Sequence, residues 1–166
     1  PVEKEVIGDV SYEIGEPIAY EITTRVPQNP QDYDVFRIKD VADPVLLFDT
    51  DSLTVTIGGT QVDDVYALET TANSFVLNFD LNFLQAFRNQ ELVVNYDMSL
   101  SEAAIPDVNY FNEVTIEYDN LVSIDRNLVR TGGYRFIKVD LRNEEVTLAD
   151  AQFTLKDEAG NYLVIE

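Results

Sequence analysis

Apolar and polar residues alternate in short segments along most of the chain. A period of two in residues rich in β-branched and aromatic side chains is typical of strands with one buried face. Turn residues separate these segments at short intervals, so the pattern predicts an all-β sandwich of antiparallel strands. The predicted strands span residues 2–7, 18–26, 35–40, 53–57, 74–79, 92–100 and 111–118.

Turn signals and one helical pattern interrupt the strands. The residues that predict turns are Pro27, Asn29 and Pro30 after the second strand, Asp43-Pro44 after the third, and the hairpin pair Gly58-Gly59. Residues 80–89 form the one predicted helix, because Leu81, Leu84 and either Phe83 or Phe87 share a face behind an Asp80 cap.

A change of pattern near Thr131 predicts a domain boundary. Gly132-Gly133 follows a polar stretch, and further alternating segments occupy residues 134–139, 153–155 and 162–165. The sequence therefore predicts a sandwich domain at 1–131 and part of a second β domain at 132–166. About 33 residues are too few to bury a core alone, so this second domain is expected to be truncated.

Composition removes several classes of function. The chain has 31 acidic and 11 basic residues, a formal charge of −20, and neither cysteine nor histidine. This charge disfavours nucleic acid and anionic membrane surfaces as partners. Thiolate chemistry and a Ser-His-Asp triad are excluded, and neither a metal nor a cofactor is predicted. Asp49 and Asp51 begin like a calcium loop, but the later ligands are missing, which favours a solvated acidic turn over calcium binding.

The apolar content of 45% still allows a well-packed core. No apolar stretch reaches the roughly 18 residues of a membrane span, and the first residues do not resemble a signal peptide.

Strand parity identifies three polar exceptions. Residues i, i+2 and i+4 of a half-buried strand share one face. By this rule Lys4, Asp40 and Asn112 each lie on the apolar face of their strand. The sequence therefore predicts that one amine, one carboxyl and one carboxamide point into the core.

Burying these groups separately would cost several kcal/mol each, so a shared arrangement is favoured. Desolvation lowers the pKa of a lysine and raises that of a carboxyl. The neutral amine of Lys4 would then attack the side-chain carbon of Asn112 with Asp40 as the acid, and ammonia would leave. The alternative from parity alone is an exposed Lys4, a turn-forming Asp40 and a hydrogen-bonded Asn112.

Three segments in order resemble the isopeptide-forming, CnaA-like middle domain of Gram-positive backbone pilins. They read KEV at 4–6 with YEIGEPIAYEITTRVP at 12–27, FRIKD at 36–40, and NEVTIEYDN at 112–120. The resemblance implies an immunoglobulin-like CnaA-type sandwich, a Lys4–Asn112 crosslink that ties the first and last strands together, and Asp40 as the catalytic acid. Val41-Ala42 departs from the Thr-Leu common in that family, and Asn109 is a nearby competitor for Asn112.

The second unit resembles the opening of a CnaB-type domain through YRFIKVD at 134–140 and LADAQFTL at 148–155. This resemblance implies that Lys138 is a latent crosslinking lysine, whose asparagine partner is absent from the chain.

The resemblance implies a structural fragment of a surface pilus, exported and anchored to the cell wall. It would perform one self-crosslinking turnover and no enzymatic reaction, and other pilin subunits would be its partners through regions outside this chain. The alternative is an adhesin module that binds a host matrix protein or glycan through loops bearing Tyr33, Tyr66 and Tyr110. A hydrolase built on paired carboxylates is a third reading.

Overall fold

The computed structural model describes residues 1–132, 139–140 and 143–147. The chain divides into two compact units, Pro1–Gly133 and Tyr134–Glu166. The first unit contains all three residues of the predicted crosslink.

Two antiparallel sheets form the first unit. Its strands are β1 Glu3–Ile7, β2 Ser11–Tyr12, β3 Pro17–Arg25, β4 Phe36–Ala42, β5 Leu46–Ile57, β6 Thr60–Gln61, β7 Tyr66–Thr71, β8 Ser74–Phe79, β9 Glu91–Leu100, β10 Asn109–Tyr118 and β11 Leu121–Thr131. The five-stranded sheet has the order β1-β3-β9-β5-β6, and the six-stranded sheet has the order β2-β11-β10-β4-β8-β7. Only the short pairing of β2 with β11 is parallel among the strand pairs of this unit.

The core lies between the two sheets, and strict alternation in the strands fills it. In β3, β4, β9 and the first eight residues of β10, alternate side chains are buried and the intervening ones face outward. Large fully buried side chains include Ile18, Ile22, Phe36, Phe75 and Leu92. The predicted all-β sandwich with one short helix is therefore confirmed.

Several strands differ from their sequence predictions. β5 begins at Leu46, well before the predicted start, because a register shift between Asp49 and Thr54 lets it pair with β9 on both sides of an acidic segment. In the first unit, the sequence did not predict β2, β6, β7 or β11. β11 pairs with β10 from Leu121 to Arg130 although Asp125 and Asn127 interrupt its apolar pattern. The neighbouring strand rather than local propensity therefore defines β11.

The helix is shorter than predicted. α1 spans Leu81–Leu84 and continues as a 3₁₀ turn over Gln85–Phe87. The predicted cap is present, because Asp80 Oδ1 accepts hydrogen bonds from the backbone N–H groups of Asn82 at 2.9 Å and Phe83 at 3.4 Å. A second 3₁₀ turn, Pro30–Asp32, follows the predicted break after β3.

In the second unit the structure describes two antiparallel strands, β12 Val139–Asp140 and β13 Asn143–Thr147. Lys138 and the predicted strands at 153–155 and 162–165 lie outside the described residues. In residues 1–132, 139–140 and 143–147, no helix has the length and apolar character needed to cross a membrane.

Candidate crosslinking site

The two sheets supply different members of the site. Lys4 lies on β1, the edge strand of the five-stranded sheet, whereas Asp40 on β4 and Asn112 on β10 belong to neighbouring strands of the six-stranded sheet. Asp40 pairs with Val114, two positions from Asn112, so Asp40 and Asn112 are neighbours on one inward face. A Lys4–Asn112 bond would therefore connect one sheet to the other.

Polar contacts with β11 hold β1 over this site. The backbone N–H of Lys4 donates to Asp125 Oδ2 at 2.7 Å, and Asn127 Nδ2 donates to the carbonyl oxygen of Lys4 at 3.2 Å. Asp125 and Asn127, which broke the apolar pattern of β11, thus fix the backbone of β1 at the point where its lysine turns inward. This also corrects the strand assignment of the crosslink, since β11 follows β10 and Asn112 lies on the penultimate strand of the unit rather than the last.

All three predicted side chains are buried. Lys4 is 4% exposed, and Asp40 and Asn112 are 0% exposed. The inward orientation predicted from strand parity is therefore confirmed, and the reading with an exposed Lys4 and a turn-forming Asp40 is wrong because Asp40 lies within β4.

A fourth residue, Tyr96 on β9, joins the three. Lys4 Nζ donates to Asp40 Oδ2 in a buried ion-pair contact and to Tyr96 Oη at 2.5 Å. Tyr96 Oη donates to Asp40 Oδ2 at 2.9 Å and accepts from Asn112 Nδ2 at 3.0 Å. The amine nitrogen and the carboxamide nitrogen are therefore both bound to the same hydroxyl oxygen.

Two buried oxygen atoms in the site have no hydrogen-bond partner. They are Asp40 Oδ1 and Asn112 Oδ1. An unpaired buried acceptor is costly, and two acceptors on neighbouring positions cannot satisfy each other. A proton on Asp40 Oδ1 would turn that oxygen from an acceptor into a donor.

Burial shifts the ionisation of these groups toward their neutral forms. Desolvation lowers the pKa of the Lys4 amine, against the opposing attraction of the Asp40 carboxylate. Desolvation likewise raises the pKa of Asp40, against the opposing charge of Lys4. The pKa of Tyr96 is raised well above its ordinary value, chiefly by burial and then by Asp40, so this phenol stays protonated.

Aromatic rings surround the amine. Lys4 Nζ lies 5.1 Å from the ring centroid of Tyr20 and 5.2 Å from that of Tyr96, and the two rings stack with centroids 5.4 Å apart. Met98 Sδ accepts a weak contact from Asn112 Nδ2 at 3.5 Å. These side chains help to exclude water from the three buried polar groups, which strengthens the electrostatic interactions among them.

Sequence reasoning did not select Tyr96. Alternation in the strand at 92–100 places it on the inward face, where a tyrosine is ordinarily part of the core. A tyrosine hydroxyl on a buried face needs a hydrogen-bond partner. That need was the one signal in the sequence that could have pointed to Tyr96 as a member of the site.

The other candidate residues lie elsewhere. Asn109, the competitor of Asn112, is an exposed residue at the start of β10, so the buried site contains Asn112 alone of the two. At the proposed calcium loop, Asp49 Oδ1 accepts from the backbone N–H of Asp51 at 3.1 Å. Within the described residues, no group of three or more acidic side chains is arranged to hold a metal ion.

The three tyrosines of the adhesin alternative do not form an exposed cluster. Tyr110 is not a loop residue, because it lies in β10, is 8% exposed and accepts the backbone N–H of Ile105 at 2.8 Å. Tyr66 begins β7 and its ring lies 5.8 Å from that of Phe79. Tyr33 packs at 5.8 Å against the ring of Tyr118. These three residues give the adhesin reading no support.

No model of a known protein family matches the sequence, and no curated protein is significantly similar to it. Solved structures do share the fold. The pilus backbone RrgB of Streptococcus pneumoniae matches 72% of this chain and 31% of its own, with a TM-score of 0.64 and 23% identity. The major pilin subunit BcpA of Bacillus cereus matches 99% of this chain and 50% of its own, with a TM-score of 0.64 and 17% identity.

An adhesin shares this architecture as well. The N-terminal domain of the Streptococcus gordonii adhesin Sgo0707 matches 78% of this chain and 32% of its own, with a TM-score of 0.66 and 18% identity. The chain thus matches between 31% and 50% of the length of these solved chains. At such identities the comparisons establish a pilin-like sandwich fold. Because pilins and an adhesin share this fold, the function has to be argued from the residues of the site.

Proposed function

We propose that this chain is part of a pilus subunit whose sandwich unit forms an intramolecular amide bond between Lys4 and Asn112, with Asp40 as the catalytic acid. The observation that carries the proposal is the meeting of a buried amine, a buried carboxyl and a buried carboxamide around one hydroxyl oxygen. Burying an amine, a carboxyl and a carboxamide away from water costs free energy. Such burial is expected where the groups pair with one another or take part in a reaction.

The geometry supports a single-turnover reaction. In the neutral pair, Lys4 Nζ carries a lone pair and Asp40 carries a proton on Oδ1, which donates to Asn112 Oδ1 and polarises the carboxamide. Nζ attacks Cγ of Asn112 and forms the new C–N bond. The bond from Cγ to Nδ2 then breaks, and one proton from the amine leaves with Nδ2 as ammonia. The product is one amide and one ammonia, and Asp40 recovers its starting state.

The bond would suit a load-bearing surface fibre. It would join the two sheets near the beginning of the unit, and an amide resists reducing agents, so the chain needs no cysteine for this purpose. The wider role follows from the same proposal: an exported, cell wall-anchored fibre in which this chain associates with other pilin subunits. The pilin-like fold supports this role without requiring it.

A CnaB-like second domain from residue 132, with Lys138 as its latent crosslinking residue, stays a prediction.

The test is the intact mass of the denatured protein. We expect the wild type to weigh one ammonia less than its sequence, and Lys4→Ala, Asp40→Ala and Asn112→Ala to have their full masses. Asn109→Ala is the matched control, because Asn109 lies on the same strand outside the site and its loss should leave the crosslinked mass unchanged. A wild type at full mass would overturn the proposal, and a full-mass Asn109→Ala variant would reassign the partner asparagine.

A further inference from the structure

The position of the Tyr96 hydroxyl suggests a role in the reaction itself. Its oxygen lies 2.5 Å from Lys4 Nζ, the attacking nitrogen, and 3.0 Å from Asn112 Nδ2, the leaving nitrogen. One nitrogen must lose a proton and the other must gain one. We propose that Tyr96 Oη relays this proton from Lys4 to the leaving group, an inference that rests on the proposed amide-bond formation.

Hydrogen-bond counting fixes the direction of these contacts. A phenol has one proton and two acceptor sites. Tyr96 gives its proton to Asp40 Oδ2, so its oxygen must accept from both nitrogens. The Asn112 carboxamide is therefore held with its nitrogen, not its oxygen, toward Tyr96, and its oxygen is left unpaired for the acid.

The contact with Asn112 can reverse only after attack. The nitrogen of a planar amide has no available lone pair, so Nδ2 can only donate to Oη at the start. Once Nζ has bonded to Cγ, the carbon is tetrahedral and Nδ2 regains a lone pair. Oη can then turn its O–H from Asp40 Oδ2 toward Nδ2, pass that proton to Nδ2 and take a replacement from the now cationic Nζ. The C–Nδ2 bond breaks and ammonia leaves, so the phenol ends with one proton as it began.

The neighbouring Tyr20 offers a matched control. Its ring stacks on that of Tyr96 at an interplanar angle of 11°, and Lys4 Nζ is about equally far from both ring centroids. The Tyr20 hydroxyl is buried but has no hydrogen-bond partner. Tyr20→Phe and Tyr96→Phe thus each delete one buried hydroxyl from the same stack, but only Tyr96→Phe removes a contact with the reacting nitrogens.

The experiment uses chain that is produced unfolded and kept in urea, so that it has not yet crosslinked, and follows crosslinking after dilution of the urea. Circular dichroism measures folding, and the intact mass of acid-quenched samples measures the loss of ammonia. We expect Tyr20→Phe to crosslink at the wild-type rate and Tyr96→Phe to fold but crosslink at least about 100-fold more slowly, the usual minimum effect of lost acid–base catalysis. A folded Tyr96→Phe variant that crosslinks at the wild-type rate would overturn the relay.

A second measurement separates proton transfer from simple positioning and remains available if Tyr96→Phe does not fold. Fluorinated tyrosines of increasing acidity are placed at position 96, where they keep the hydroxyl and its contacts. The relay predicts a crosslinking rate that changes steadily with the acidity of the analogue, with no trend for the same series at position 20. A rate indifferent to acidity at position 96 would assign Tyr96 a positioning role and overturn the relay.

Failure of the underlying reaction gives a different result from failure of the relay. If the folded wild type never loses ammonia, the proposed amide bond is wrong and the relay falls with it. If the wild type loses ammonia and the Tyr96 variants behave like it, the amide bond stands and only the relay is wrong.

Discussion

At the scale of single residues, the central feature is a buried pair whose charges depend on each other. Before the proposed bond forms, Lys4 and Asp40 share one proton between them whether they exist as an ion pair or as a neutral amine and acid. The unfolded pair, a charged lysine and a charged aspartate near neutral pH, also holds one proton. Folding can therefore move that proton from one group to the other, but it does not change the number of protons that the pair binds. The pair contributes no pH dependence to the free energy of unfolding between roughly pH 4 and 10.

Breaking the pair from either side should produce pH dependences of opposite sign. In Lys4→Met, burial keeps the pKa of Asp40 raised in the folded chain. At a pH above the ordinary pKa of aspartate, the folded chain therefore binds a proton that the unfolded chain has lost. The free energy of unfolding should then fall as pH rises, by up to about 1.4 kcal/mol per pH unit. In Asp40→Asn, the buried Lys4 has a lowered pKa and the unfolded chain binds the extra proton, so the same quantity should rise with pH.

Urea unfolding between pH 5 and 9 measures both slopes, with Asn112→Ala as the reference because it keeps the pair but cannot crosslink. Other carboxylates contribute equally to all three variants, so the slopes are compared by difference. Two slopes of the same sign would contradict the assignment of Lys4 and Asp40 as a coupled buried pair.

At the scale of elements, the strands position the site through register. β4 and β10 place Asp40 and Asn112 at neighbouring inward positions, and β9 places Tyr96 across the core from them. Strand alternation alone predicted which side chains point inward. Alternation did not predict β11, because polar side chains occupy inward positions of that strand. These side chains hydrogen-bond the backbone of β1, which lies more than a hundred positions away in the chain.

The short helix depends on its cap. The Asp80 side chain accepts from two backbone N–H groups at the start of α1, and a helix of this length has few other stabilising contacts. Asp80→Ala should therefore lower the free energy of unfolding by about 1 kcal/mol, whereas Asp80→Asn, an equally good cap, should leave it nearly unchanged. Urea midpoints of the two variants test this, and equal losses in both would show that the charge rather than the cap matters.

At the scale of the whole molecule, the proposed bond would add a covalent link through the core between the two packed sheets. Such a bond closes a loop of over a hundred residues in the unfolded chain. By analogy with disulfide loops of that size, the restriction of the unfolded state stabilises the fold by about 4 to 5 kcal/mol.

Asn112→Ala should accordingly lower the midpoint of thermal unfolding by roughly 10 to 20 °C. Val114→Ala is the control, since Val114 is equally buried on the same strand and its loss creates a cavity without removing the crosslink. Differential scanning calorimetry measures both midpoints. A loss in Asn112→Ala no larger than that in Val114→Ala would mean that the bond adds no stability beyond local packing.

The sequence by itself determined the fold class and the inward orientation of Lys4, Asp40 and Asn112, because both follow from a period of two along single strands. It also determined the turn at Gly58-Gly59 and the cap at Asp80, which depend on neighbouring residues alone. The sequence also favoured a shared arrangement of the three groups, but only the tertiary structure decided that they belong to different sheets and that Tyr96 lies between the two nitrogens. These facts depend on strand pairing and sheet packing between residues distant in the chain, and alternation along one strand carries no information about its neighbours.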